Sequence, residues 1–207
     1  MKGFINGYYQ FSVWLLRFAY LNFLWVAFTL LGLILFGIFP ATAAMFAVVR
    51  KWVLKHDDIN IFQVFWQTYK KEFIQINLIG FVLAIIGYLL SIQFMILRGQ
   101  ASLQYVLASY SIIALFILYL IILMYFFPIY VHFALKNTDY IKWPFVIGIV
   151  HPILTIFLFI VLGLLNSVTY MYIPGLLFFF GGSGNAYILM WGAQKTFVNY
   201  ESKFAYE

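Results

Sequence analysis

The residues able to do chemistry in this chain are few and scattered. Its carboxylates are Asp57, Asp58, Glu72, Asp139, Glu201 and Glu207, and its histidines are His56, His132 and His151. Catalysis needs nucleophiles, acids and bases at convergent positions. Here every carboxylate lies outside the long apolar stretches or at their edges, so none is placed for a proton or sodium relay through a membrane. No two histidines stand at ligand spacing, which argues against a metal site. Cysteine is absent, removing thiolate ligands, disulfides and a cysteine nucleophile. The expectation is a chain that is not an enzyme and holds no cofactor.

A second set of polar residues lies inside apolar sequence. His151 precedes Pro152, with Thr155 one turn on; Asn166 and Ser167 follow, and Gly181-Gly182-Ser183-Gly184-Asn185 comes later. Polar groups inside a membrane face a bundle interior or a cavity more often than lipid. The favoured reading is hydrogen bonding between helices, with glycine and serine permitting close approach. The alternative is a broken helix lining a solute site, as in transporters. A phosphate-cradling loop is excluded, because no Lys-Ser or Lys-Thr pair closes the glycine run.

The elements that must position these residues follow from composition. The chain has 207 residues, 66% hydrophobic and 9% charged, with a net charge of +6 and a mean hydropathy of +1.00. A soluble domain would carry roughly 25% charged residues, so most of this surface faces lipid. One membrane domain covers 1–207. It is all-α, with no alternation long enough for a barrel. About five stretches suit a hydrocarbon core of ~30 Å. The first begins at Phe18, and the others run near Phe73–Leu97, Leu107–Leu135, Phe145–Leu165 and Tyr170–Gly192. Phe18 to Val49 as one helix would measure ~48 Å, too long for one crossing and too short for two with a turn. A span ending near Phe39 is therefore expected, then a short helix from Pro40 to about Lys55. The third stretch is expected to break at Pro128, and Phe127-Pro128 echoes Phe39-Pro40 as a weak internal repeat. Residues 1–17 read as an interfacial lead-in. A cleaved leader ending at Ala41-Thr42-Ala43 is rejected, because the preceding region is too long and too aromatic.

Between the first two spans lies a polar segment, 50–72. Asn60 and Gln63 have capping-box spacing. Ile59, Phe62, Trp66 and Tyr69, with Phe65 beside them, form one aromatic face, while Gln63, Gln67, Lys70 and Lys71 form the other. This predicts a cytoplasmic amphipathic helix, lying in the interface plane or docking its ridge on a partner. Pro40 and the small pair Ala43 and Ala47 are further candidates for partner contact. Lysine and arginine gather in the loops after spans one and three and after span five. The orientation rule then puts the N-terminus outside and the C-terminus in the cytoplasm of a multi-pass cell-membrane protein; Arg17 and Lys2 favour an inside N-terminus instead if residues 40–49 re-enter the membrane. Anionic lipid explains the basic residues, and nucleic acid is not expected.

Several of these segments carry a resemblance. Leu30-Leu31-Gly32, Gly37-Ile38-Phe39-Pro40-Ala41-Thr42-Ala43-Ala44 and Val49-Arg50-Lys51-Trp52 resemble the signature of the YesL-like family of small bacterial membrane proteins, largely from Gram-positive organisms. Phe65-Trp66, Tyr69-Lys70-Lys71-Glu72-Phe73 and Phe127-Pro128 fit the same pattern. The resemblance implies a place in sugar uptake, since genes of the family commonly sit beside those for carbohydrate ABC importers and polysaccharide-degrading enzymes. It implies no catalytic or binding residues. Three roles follow: an accessory subunit binding importer permease subunits, a solute-binding or transporting unit with direct carbohydrate contact, or a transient assembly factor.

Overall fold

The computed structural model describes residues 2–98, 102–136, 138–198 and 200. Seven helices follow in order: α1 (Lys2–Leu31), α2 (Ile38–Val53), α3 (Ile61–Arg98), α4 (Leu103–His132), α5 (Asp139–Val150), α6 (Pro152–Tyr172) and α7 (Pro174–Phe197). Five are long and apolar enough to cross a membrane: α1, from Tyr9 onward, then α3, α4, α6 and α7. Among the described residues there is no strand, so the expected all-helical membrane bundle of five spans is what forms.

The first long stretch resolves into a hairpin rather than a span with a trailing helix. α1 ends at Leu31, eight residues before the expected Phe39, and α2 folds back along it. Trp14 and Phe18 meet the Trp52 ring at 5.5 and 5.4 Å, and the Trp25 indole N–H donates to Thr42 at 3.0 Å. The turn needs both glycines. A Cβ on Gly32 would overlap the Gly37 backbone, and one on Gly37 would overlap the carbonyl of Thr29. Leu33 and Ile34 hold positive φ of 57° and 66°, a conformation a β-branched residue adopts only at a cost. Pro40 sits in the first turn of α2, as its missing N–H favours. The length argument against two crossings missed that α2 needs no full span: its 16 residues reach ~24 Å, and it is walled in by protein.

α2 is the centre of the molecule. Pro40, Ala41, Ala43, Ala44, Met45, Phe46, Val48, Val49 and Trp52 are all buried. Its alanines let α1, α3, α4 and α7 approach at once. α3 runs antiparallel to it, with Phe39 against the Gly80 position and Phe81. α4 returns along α3, where Tyr119 donates to the Leu83 carbonyl at 3.0 Å. α7 is antiparallel to α1, with Phe18 against Tyr187 at 5.5 Å.

Three further expectations change. The amphipathic helix is not separate: α3 is one helix of 38 residues, about 57 Å long, capped by the Asn60 carboxamide accepting from the Gln63 N–H at 3.1 Å. Pro128 does not break the third span, because α4 continues through it to His132 with Pro128 buried. Neighbouring helices hold such a site together, and the echo of Phe39-Pro40 is no architectural repeat. The fourth and fifth spans begin later than expected, at Pro152 and Pro174, because each proline starts its own helix. The lead-in is simply the start of α1; side chains 1–6 and 8 lie outside the described residues.

The return of α2 also shifts the ends. Since α1 is antiparallel to both α2 and α7, the start of α1 and the end of α7 share one end of the bundle. The expectation of termini on opposite sides does not survive this geometry. The shared end carries Arg17, Arg50, Lys51, Lys55, Lys70, Lys71, Lys136, Lys142 and Lys195; Arg98 lies at the other. Four cation–aromatic pairs mark the basic end, Arg17 on Trp14, Lys70 on Trp66, Lys142 on Trp143 and Lys195 on Trp191 at 3.6 Å.

Candidate functional site

The amphipathic ridge is spent inside the chain. Phe65 and Tyr69 are buried. The Phe28 ring lies 5.2 Å from Phe65, 5.1 Å from Tyr69, 5.5 Å from Trp66 and 6.4 Å from Phe62. Ile59 packs against the same core, and Phe62 and Trp66 keep partial exposure. Pro40 and Ala43 are buried too, Ala43 among Ile76, Ile79 and Phe126. Phe65, Tyr69, Pro40 and Ala43 are thus covered by the chain itself, while Phe62 and Trp66 stay exposed. An apolar ridge beside a bundle finds its nearest groove first, and that groove is its own.

The intramembrane polar residues behave as interhelical pairs. Asn166 and Asn185 exchange two hydrogen bonds at 3.0 Å, tying α6 to α7. Thr155 is buried between the Tyr125 hydroxyl at 3.0 Å and the Gly148 carbonyl at 2.9 Å. Ser183 donates to the Phe18 carbonyl at 3.0 Å. His151 heads α6 beside the Tyr200 hydroxyl at 3.4 Å. α7 stays helical across Gly181–Gly184, whereas the expected fourth span breaks at His151, between α5 and α6. Asn22 went unnoticed in the sequence. It is 2% exposed, donates to the Phe178 carbonyl at 2.6 Å and accepts from the Ser183 N–H at 3.0 Å. A Cβ on Gly182 would stand 2.7 Å from its Oδ1. Asn77 was also missed; it donates to the Phe36 carbonyl at 2.9 Å, pinning the α1–α2 turn to α3.

The remaining polar groups converge on one cavity of about 670 Å³ at the basic end. α2 contributes Ala47, Arg50 and Lys51; α3 contributes Gln67, Thr68, Lys71, Glu72 and Gln75; and α4 with the turn after it contributes Tyr130, His132 and Phe133. Arg50 Nε donates to His132 Nδ1 at 3.1 Å, a bond spanning 82 residues. Tyr130 donates to Glu72 Oε2 at 2.7 Å, while Lys71 Nζ lies 3.4 Å from the other oxygen. Tyr140 of α5 closes one wall, donating to the Phe133 carbonyl at 3.2 Å and accepting from the Leu135 N–H at 3.0 Å. Burial, against the opposing bond from Leu135, pushes this hydroxyl above its ordinary range. Ala47, singled out for partner contact, lines this cavity. Among the described residues no three of His, Asp and Glu gather at metal-binding distance.

Behind the cavity the bundle is packed. Ala43, Ile76, Ile79, Leu83 and Phe126 are all buried, and Phe46 stacks on Phe127 at 5.5 Å. Further out, none of residues 84–98 or 103–123 of α3 and α4 is buried.

Comparison with known proteins adds a family. A family model described as "Protein of unknown function, DUF624" matches residues 18–94, from α1 through most of α3. The uncharacterized protein YteU of Bacillus subtilis (strain 168) is 38% identical over 195 residues, covering 91% of this chain and 84% of the relative. YesV of the same organism, also described as uncharacterized, is 38% identical over 188 residues, 90% of this chain and 89% of the relative. YesL is 33% identical over 151 residues, 73% and 71% respectively. No solved structure matches the chain. The matched segment supplies Arg50, Lys51, Gln67, Thr68, Lys71, Glu72 and Gln75, much of the cavity wall.

Proposed function

We propose, from the premise that the chain belongs to the DUF624, YesL-like family of membrane proteins, that it is a non-catalytic accessory subunit of a bacterial carbohydrate ABC importer, binding the permease subunits. The observation that carries this reading is that the cavity at the basic end is backed by a packed core. Such a chain offers surfaces for binding and no path for a solute. The bare outer halves of α3 and α4 supply apolar area in the membrane plane on which a helical partner can pack. The link to sugar uptake itself comes from the gene context that the resemblance implies.

The basic end is assigned to the cytoplasm. Lysine and arginine near span ends favour that side, and tryptophans paired with them sit at head-group level. Both termini are then cytoplasmic. The test of the accessory role is purification of a tagged chain in a mild detergent, with crosslinking and mass spectrometry. Retention of importer permease subunits is expected; their consistent absence after crosslinking removes the reading.

A second reading is a solute-binding unit in its own right, favoured by the cavity volume, which falls within the ~300–1,000 Å³ of small-molecule sites. A ligand-dependent rise in melting temperature without any permease present favours it over the first.

A further inference from the structure

We infer that the α1–α2 hairpin is re-entrant: it enters the bilayer from the basic end, leaves by the same face, and rests its tip against lipid acyl chains. The tip has the wrong composition for water. Turns that face solvent are built from Gly, Asn, Asp, Ser and Pro, whereas this one reads Leu-Gly-Leu-Ile-Leu-Phe-Gly from Leu31 to Gly37. Leu31, Leu33, Ile34, Leu35 and Phe36 are 73%, 79%, 56%, 65% and 51% exposed, so no neighbouring helix covers them. The backbone is closed off as hydrocarbon requires. A lipid-facing turn has no water to pair its amides, and all six N–H groups from Gly32 to Gly37 donate to carbonyls within the hairpin, at 2.8 to 3.2 Å. The Phe36 carbonyl accepts from Asn77 of α3 at 2.9 Å.

α3 gives the depth. The tip meets it at Asn77 and at Phe81, whose ring lies 5.6 Å from that of Phe36. At ~1.5 Å per residue, these contacts stand about 9 to 15 Å along α3 from Lys71 and about 25 to 31 Å from Arg98. A tip in water at the far face would leave the rest of α3 and α4 projecting past it as bare apolar helices. Ile85, Leu89, Met95 and Ile96 of α3, with Leu107 and Leu115 of α4, are all exposed, and wetting that much apolar surface is strongly unfavourable. A tip partway down leaves those side chains in the far leaflet, which matches the lack of any buried residue in 84–98 and 103–123. α1 has the length of a span; the close Gly32–Gly37 turn ends it early. This inference concerns the hairpin's contact with lipid and does not depend on the accessory role.

The chain has no cysteine, so single cysteines can carry a nitroxide in the full protein, reconstituted in liposomes of phosphatidylcholine and phosphatidylglycerol. Leu33→Cys and Leu35→Cys place the label on the tip. Asp57→Cys near the basic end and Ser102→Cys at the far end, both exposed positions, serve as references, and melting temperature checks each fold. Electron paramagnetic resonance then reads collisions with oxygen and with a polar nickel chelate. Tip labels are expected to meet oxygen freely and the chelate about tenfold less than either reference, because polar reagents are excluded from hydrocarbon. Chelate contact equal to that at Ser102 puts the tip in water and overturns the proposal. Low contact with both reagents means that protein covers the tip, which also overturns it. The unsubstituted chain gives a readout that no variant can spoil: a phospholipid with a diazirine midway along its acyl chain is expected to crosslink within 31–36, as read by peptide mass spectrometry. Crosslinks confined to other segments count against the inserted tip.

Discussion

At the level of single residues, the polar groups inside this bundle hold helices together. Asn22 shows the economy of it: one carboxamide satisfies a carbonyl at Phe178 and an amide at Ser183, joining α1 to α7. Asn22→Leu removes both bonds and places a bulkier group where Gly182 leaves only just enough room. A loss of about 1 kcal/mol is expected, in line with interhelical hydrogen bonds in membranes, and more if the leucine cannot be accommodated. Steric-trap unfolding or thermal melting in detergent reads it; an unchanged stability would show that the pair contributes nothing. The sequence exposed half of this pattern. Asn166, Ser183 and Asn185 stand out beside glycines, but Asn22 sits alone in Phe-Ala-Tyr-Leu-Asn-Phe-Leu-Trp and has no local partner to announce it. Its partners lie 156 and 161 residues away.

At the level of elements, the α1–α2 hairpin decides everything around it. Its turn depends on two glycines facing each other across the backbone, Gly32 and Gly37. Gly37→Leu forces the turn open, because its Cβ falls on carbonyls of the last turn of α1. Displacing α2 would expose the face carrying Ala41, Ala44 and Val48, now fully buried. The expected outcome is loss of the monodisperse peak on size exclusion and faster proteolysis near residues 54–60; a variant that melts like the wild type argues that the turn has slack. Pro40 and the glycines were visible in the sequence, and the start of α2 was placed within two residues. Its direction was not, since a helix that turns back and one that runs on leave the same local pattern.

At the scale of the molecule, α2's return places the start of α1 and the end of α7 with the basic residues. A single cysteine added before Lys2, or one added after Glu207, is expected to label with a membrane-impermeant maleimide only after permeabilisation. Labelling of the N-terminal cysteine in intact cells would restore the arrangement that the charge count alone favoured. The count reverses when residues 40–49 re-enter the membrane, and α2 does so as a 16-residue helix shielded by protein, which need not span lipid.

The sequence by itself determined the class of the protein. With 9% charge over 207 residues there is no soluble alternative, and stretches of ~20 apolar residues are read almost directly as spans. The start of α2 near Pro40 follows from proline's missing donor, whereas the starts of α6 and α7 at Pro152 and Pro174 fell later than the apolar stretches suggested. Tertiary structure alone decided which surfaces are spoken for. The ridge at Phe65 and Tyr69 reads as a partner site until Phe28 is found covering it. Arg50, Lys51, Lys71, Glu72 and His132 read as loop charges until α2, α3 and α4 bring them around one cavity. Local pattern encodes how each residue meets lipid or water; which helix it meets depends on contacts across as many as 165 residues.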